Sequence, residues 1–358
     1  MRRFWMVFGS VLLLIGMHAC TDQRMVTAPA VYRGPTPVGL VYPRWASDTA
    51  HYPNIPYDNP MTEEGIALGR RLFYEPALSR DGTVSCASCH VQEHAFSDPR
   101  RFSVGVDGEA GHRNAMALVN LAWSHFFFWD ARAMSLERQA LEPVNDHLEM
   151  LNAWPEVIQR LKELPGYENQ FDAAFGTFSF DSLHVVRALA QFERTLISFD
   201  SPFDRSHYAC DTTALTTTEQ RGMGLFFGKA HCADCHELPV FQDHGVINIG
   251  LDSVLVDKGM GARTGIEWHM GRFKTPTLRN IATSAPYMHD GRFRTLEEVV
   301  DFYADDVHLN TPNFDDHMFA WKLGVVKLDA QDRSDLVAFL QALTDSSFLT
   351  NPAYSAPN

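Results

Sequence analysis

Two short segments hold the densest chemistry in this sequence: Cys86-Ala87-Ser88-Cys89-His90 and Cys232-Ala233-Asp234-Cys235-His236. In each, two thiols stand about one helical turn apart and an imidazole follows at once. That spacing lets both thiols add to the two vinyl groups of one haem while the histidine reaches the iron as an axial ligand. A redox dithiol or half of a zinc site would use the cysteines and leave the histidine unexplained twice. The expectation is two covalently attached haem c groups, one held by Cys86, Cys89 and His90, the other by Cys232, Cys235 and His236.

An iron that only carries electrons needs a sixth ligand and an exposed haem edge. An iron that cleaves peroxide needs an open side, an acid–base group to move the proton from the inner to the outer oxygen, and a hydrogen-bond donor. Residues able to supply these follow the first motif: Trp129-Asp130-Ala131-Arg132, then Gln139, Pro143 and Glu149. Taken one at a time, Gln139 and Glu149 also read as solvated helix positions and Trp129 as a core aromatic.

The elements that must position these groups read as helices. One begins after Asn59-Pro60, carries Met61, Leu68 and Leu72 on one face and stops before Pro76. Asn152 can cap another, with Trp154, Val157, Ile158 and Leu161 inward and Pro165-Gly166 at its end. A third runs from about Ser182 to Ser198, with Val185, Leu189, Phe192 and Leu196 on its buried stripe. Thr295 and Glu298 form a capping box ahead of Leu296, Val299, Val300 and Tyr303. Asp329 opens the last helix, whose face holds Leu336, Phe339, Leu340 and Leu343. No run of alternating strands is visible, so an all-α chain is expected.

An internal echo divides the chain. Thr62-Glu63, Gly65 and Leu72-Phe73 lead to Cys86; Thr218-Glu219, Gly222 and Leu225-Phe226 lead to Cys232. Two related cytochrome c-like haem domains packed against each other are expected, over residues 59–205 and 206–358, joined near residues 200 to 216. With 358 residues, 45% of them hydrophobic and 21% charged, the chain is long and apolar enough for two cores. Its net charge of -14 disfavours nucleic acid and suits a basic protein partner.

Residues 1–20 read as a secretory signal: Arg2 and Arg3, an apolar run from Phe4 to Met17, then Ala19-Cys20, which resembles a lipoprotein cleavage site. A periplasmic location follows, with a lipid anchor through Cys20 as the contact with the membrane. Residues 21–58 carry six prolines between Pro29 and Pro56 and read as a tether or an extended arm laid on the surface. Of 6 cysteines, four belong to the motifs and one to the cleavage site, which leaves Cys210 as a buried thiol with no special role and argues against a disulfide framework.

The stretch from Leu68 to Phe73, the first haem motif, Arg113-Asn114, Phe128-Trp129-Asp130, Leu136-Glu137-Arg138-Gln139-Ala140 and Glu149-Met150 resembles the bacterial dihaem cytochrome c peroxidases. Thr275-Pro276-Thr277-Leu278-Arg279-Asn280 and the run from Ala285 to Gly291 do so as well, and the resemblance spans roughly residues 58 to 345. That family also includes the MauG type, which oxidises side chains of another protein. The resemblance implies peroxide chemistry at the His90 haem, with Glu149 as acid–base, Gln139 as hydrogen-bond donor and Trp129 between the two haems. It also implies calcium between the domains, held by the Asn114 side chain and the carbonyls of Ser284 and Pro286. Hydrogen peroxide would be the substrate, and a small cytochrome c or cupredoxin the electron donor. A partner protein takes that place in a MauG-like oxidase, and a dihaem electron carrier without peroxide chemistry is the remaining reading.

Two positions depart from the ordinary peroxidase pattern. Val106 stands where a loop histidine closes the first haem, with His112 close by in sequence. Tyr303 stands where a methionine ligates the second haem, with Met288 and Met318 as rivals. Both departures resemble the MauG type, and tyrosinate favours ferric and higher-valent iron where methionine raises the potential. A third position points away from it: Lys229-Ala230-His231 precedes the second motif where MauG proteins have an electron-conducting tryptophan, which speaks against a role in maturing methylamine dehydrogenase. Protein made in a host that matures c-type haem is expected to exceed the mature polypeptide mass by two haem groups in intact mass spectrometry; a single added haem would remove the basis for a two-centre enzyme.

Overall fold

The structure, a computed structural model, describes residues 34–47 and 52–357. The expected signal segment and Cys20 lie outside them. The thirteen α-helices among the described residues fall into two sets. The first set is α1 (Glu63–Phe73), α2 (Leu136–Ala140), α3 (Glu142–Asn145), α4 (Trp154–Glu163), α5 (Tyr167–Phe175) and α6 (Ser182–Arg194). The second is α7 (Pro202–Tyr208), α8 (Thr217–Phe226), α9 (Met260–Thr264), α10 (Leu296–Asp301), α11 (Phe319–Lys322), α12 (Ala330–Gln341) and α13 (Ser346–Thr350). The strands described are β1 (Val246–Ile247) and β2 (Phe273–Lys274), an antiparallel pair with Val246 opposite Lys274. The fold is thus mainly helical, as the sequence implies.

The echo between the two haem segments becomes a repeated helix crossing. In α1, Thr62 caps the first turn by accepting from Gly65 N at 3.1 Å, with Glu63 and Glu64 at the positive end of the dipole and Arg70 and Arg71 at the negative end. In α8, Thr216 caps and forms a capping box with Glu219. Helix α1 crosses α6 at Gly69, where a Cβ would collide with the Ala188 carbonyl; α8 crosses α12 at Gly222, where it would collide with the Asp335 carbonyl. Gly69 and Gly222 each precede the Leu-Phe pair by the same interval, so Gly69, not Gly65, is the counterpart of Gly222. Gly65 instead leaves room for Gln191, whose Oε1 accepts from Thr62 N at 2.9 Å.

Two hydrophobic cores follow from these crossings. One gathers Leu68, Leu72, Phe73, Val157, Leu161, Leu189 and Phe192; the other gathers Phe203, Phe226, Phe241, Leu336 and Phe339. Residues 346–357 return to the first core: Phe348 is buried there, Gln92 donates to the Asn351 carbonyl at 2.9 Å, and Arg70 donates to the Ser355 carbonyl at 2.6 Å. Asp329 therefore opens α12 as expected, yet α12 is not the last helix. The Pro-rich segment packs as an arm where it is described: Trp45 stacks on Tyr208 with ring centroids 3.6 Å apart, and Ala46 O accepts from Trp123 Nε1 at 2.9 Å.

Three local expectations change. Asn152 does not cap α4; its Nδ2 is drawn away to the Leu78 carbonyl at 3.0 Å, and Ala153 takes the cap position without a side-chain bond. Helix α6 ends at Arg194, short of Ser198, because Asn120 draws the Ser198 backbone into bonds of 2.8 and 3.0 Å. Cys210 is exposed, not buried, at a left-handed position with φ of 58° after α7. Gly69→Ala and Gly222→Ala are each expected to lower the denaturant midpoint of the holoprotein by an amount equivalent to at least ~1–3 kcal/mol, the cost of overpacking. Gly224→Ala, on the open side of α8 with no atom within 4 Å, is the control and should be neutral or stabilising.

Candidate active site

Each cysteine motif forms a single 3₁₀ turn, Cys86–Ser88 and Cys232–Asp234, which brings its two thiols to the same side. The chain then folds back so that a backbone carbonyl meets the imidazole. His90 Nδ1 lies 2.7 Å from Phe96 O and His236 Nδ1 lies 3.0 Å from Phe241 O. Phe96 and Phe241 both have left-handed backbones, with φ of 55° and 52°. With Nδ1 bonded to a carbonyl, the proton sits there and the lone pair sits on Nε2, the tautomer a metal ligand needs. Burial lowers the pKa of both imidazoles, which keeps them neutral for the same purpose.

Both motifs open into a continuous cavity of about 1220 Å³. Cys86, Cys89, His90, Cys232, Cys235 and His236 line it, and the four thiols are unpaired. Largely apolar walls, two thiol pairs and two pre-set imidazoles fit two c-type haems.

The same cavity gathers the other expected residues. Gln139, on α2 behind the Ser135 cap, and Glu149, in the turn after α3, both line it. The loop through Val106 turns out to be a support for Glu149: Val106 N donates to Glu149 O at 2.9 Å, and Gly105 packs against the Leu148 and Glu149 carbonyls. Burial, reinforced by Asp146 and Glu142 and opposed by Arg132, pushes the Glu149 carboxyl up to about 7. A group with that value is half protonated near neutral pH and can both take and return a proton. His112 is exposed and lines the cavity, whereas Val106 is not part of its wall.

Trp129 sits in a loop closed by the Phe127–Ala133 bridge, with left-handed backbones at Phe128 and Ala131. Its Nε1 donates to Asn114 O at 2.8 Å, and its carbonyl accepts from Lys274 N at 2.7 Å, which ties it to β2 beside the second motif. Arg113 braces the same loop, bonding Asp130 at 2.7 Å and Asp257 at 2.8 Å. Asn114 N donates to His289 O at 2.8 Å, and Asn114, Ser284 and Pro286 all line the cavity. Asn114 spends its Nδ2 on the Arg100 and Arg101 carbonyls, both at 3.2 Å, leaving Oδ1 as its free ligand atom. Among the described residues no cluster of three acidic, cysteine or histidine side chains could hold a metal, so calcium there would depend on Asn114 and backbone carbonyls.

Tyr303 lies beyond the end of α10, on a π-helical turn over Phe302–Asp306, not on a continuous α-helical stripe. The phenol lines the cavity near Cys235 and Cys232, burial raises its pKa, and it makes no hydrogen bond among the described residues. Trp321 Nε1 holds the Tyr303 carbonyl at 2.7 Å. Met288 and Met318 line the cavity too.

Two buried ionisable groups were not singled out from the sequence. Lys274 borders the second motif, and burial lowers its pKa to about 8. Glu193 borders the first and is taken up below. Glu193 follows Leu189 by four residues on the inward stripe of α6, a sequence signal for a buried acid; Lys274, on a two-residue strand, carried no such signal.

The chain has extensive relatives. The di-haem cytochrome c peroxidase family profile matches residues 63–212, and the cytochrome c profile matches residues 220–344. The methylamine utilization protein MauG of Methylorubrum extorquens is 39% identical over 290 residues, covering 80% of this chain and 80% of that protein. A cytochrome-c peroxidase of a Pseudomonas species is 34% identical over 337 residues, covering 85% and 86%. The crystal structure of a MauG-like protein associated with microbial copper homeostasis superposes with a TM-score of 0.76 at 36% identity, covering 88% of this chain and 98% of that one.

Tyr303→Phe is expected to change the low-spin ferric signal of the second centre in electron paramagnetic resonance while leaving the first nearly intact. An unchanged low-spin signal, with a change on Met318→Leu instead, would make Met318 the ligand.

Proposed function

We propose that this chain, which belongs to the di-haem cytochrome c peroxidase and MauG family, reduces hydrogen peroxide to water at the centre around His90, with electrons delivered through the centre around His236 by a small cytochrome c or cupredoxin. The observation that carries this reading is the position of Glu149: a carboxyl raised to about 7, on the wall of the His90 cavity, with Gln139 beside the same space. Bound haem supplies the redox-active iron at which the O–O bond breaks.

The chain's own residues handle the protons and the geometry. Glu149 as carboxylate takes the proton from the inner peroxide oxygen and returns it to the outer one, so that the leaving group is water. Gln139 orients the peroxide through its amide N–H. The backbone bond from Val106 fixes Glu149 without adding a side chain that could bind iron. Trp129, tied to Asn114 on one side and Lys274 on the other, carries oxidising equivalents between the centres. Asn114, with the Ser284 and Pro286 carbonyls, would hold a calcium ion. A location outside the cytoplasm accords with covalent haem attachment there.

A second reading draws on Tyr303. A phenol in place of a methionine at the second centre favours storage of an oxidising equivalent over rapid passage of electrons, which suits oxidation of a partner protein. The names of the MauG relatives and of the solved MauG-like protein support it. A peptide mass change in a co-expressed partner, dependent on peroxide, would distinguish it from the first reading.

Glu149→Gln is expected to keep both haems and to slow peroxide cleavage by roughly 10²–10⁴. Because the carboxylate is the proton acceptor, the wild-type rate should rise with pH through about 7 and then level off, while the glutamine variant should show no such limb. Wild-type turnover in that variant would assign the proton transfer to another group.

A further inference from the structure

Glu193 is a buried acid that none of the steps above uses. It stands on α6, 5% exposed, with its Oε2 fully enclosed and without a hydrogen-bond partner. It nevertheless lines the cavity at the first motif, close enough to Cys86 for its ionised form to raise the pKa of that thiol. Its neighbour Arg194 is turned toward other groups: Nε donates to the Asn54 carbonyl at 3.1 Å, Nη2 donates to Glu137 at 3.1 Å, and Nη1, though not in hydrogen-bond geometry, lies 2.8 Å from Glu137. Glu137 in turn accepts from Asn59 Nδ2 at 2.7 Å. The α1 face buried against α6 contributes Gly65, Leu68, Gly69 and Leu72, so no charge reaches Glu193 from that side. An unpaired carboxylate in such a place is costly, so the group favours its proton, and the positive charge of a ferric haem nearby is what would let it release that proton. Burial and Glu137 raise its pKa to about 8, with Arg194 opposing.

We propose that Glu193 is a redox-linked proton site of the first haem: it binds a proton from solvent when that haem gains an electron and releases it when the electron leaves. The balance is one electron from the donor and one proton from water, the electron reducing the ferric centre and the proton converting carboxylate to carboxylic acid. The physical reason is charge. Reduction removes one positive charge from a poorly solvated cavity, so a nearby carboxylate is destabilised until it is protonated. The same coupling would deliver protons to the site at which peroxide reduction consumes them. The inference rests on haem at the Cys86 motif and not on the peroxidase reading, and its test uses no peroxide.

The test has two readouts on holoprotein. Redox-difference infrared spectroscopy of the wild type should show the carbonyl band of a neutral carboxylic acid changing as the first haem is reduced; Glu193→Gln should lose that band and Glu149→Gln should keep it. Potentiometry should show the midpoint of the first haem falling as pH rises across the neutral range, by up to about 59 mV per tenfold change in proton activity for one electron. In Glu193→Gln, where a neutral amide mimics the protonated acid, that midpoint should stay near the wild-type low-pH value. Loss of both signals in Glu193→Gln bears the proposal out. Persistence of either one, or no carboxylic acid band in the wild type at all, overturns it, and the wild-type spectrum keeps the test decisive even if the variant folds poorly.

Discussion

The two helix crossings leave a shared set of apolar walls facing the four thiols, and the rest of the structure is arranged around them. Helices α1 and α6, and α8 and α12, cross at glycines and pack tightly on one side, while on the other they face a cavity of about 1220 Å³. Apolar walls of that extent would be costly to leave in contact with water. The lining is largely apolar and offers water few partners. Haems attached at Cys86, Cys89, Cys232 and Cys235 would therefore complete the core, and the loops of the chain line the space they would fill.

That arrangement relies on short loops more than on helices. Bridges join Val91 to Ser97, Val104 to Ala110, Phe127 to Ala133 and Tyr287 to Phe293, each closing a loop between positions six apart. These loops place Phe96 O on His90, the Val106 N–H on Glu149, and Trp129, Met288 and His289 at the cavity wall. Several contain left-handed non-glycine residues, among them Phe96, Phe128, Ala131 and Met288. Such backbones are unfavourable by about 1–3 kcal/mol each and persist where the surroundings over-determine them. Ion pairs then lock the loops to one another, Arg113 to Asp130 and Asp257, Arg132 to Asp130 and Glu142. Removing the Arg113 side chain would loosen the Trp129 loop without touching either imidazole.

The attachment residues and most helices were legible in the sequence because they depend on local spacing: thiol, thiol and imidazole in one turn, caps at Thr295 and Asp329, and apolar stripes along α6 and α12. Sequence reading went astray where a distant partner decided the outcome. Asn152 is a good capping residue that the Leu78 carbonyl captures first. Tyr303 was expected on an α-helical stripe, but it stands on a π turn beyond the end of α10. The orphaned carboxyl of Glu193 becomes visible only once Arg194 is seen to pair with Glu137 instead. The resemblance to dihaem peroxidases gave Gln139, Glu149 and Trp129 a common site, and the structure lines one cavity with all three.

Central to the proposed function is that a haem at the Cys86 motif would be open to peroxide without prior reduction, since Val106 supplies only a backbone N–H to the Glu149 turn and stays out of the cavity wall. The most direct test mixes fully oxidised holoprotein with one equivalent of hydrogen peroxide and follows the haem absorption by stopped flow. The account predicts an immediate spectral change in the oxidised protein. A protein that stays silent until one electron has been added would contradict it and would point to a side chain closing the first iron, with His112, at the cavity wall, as the residue to replace first.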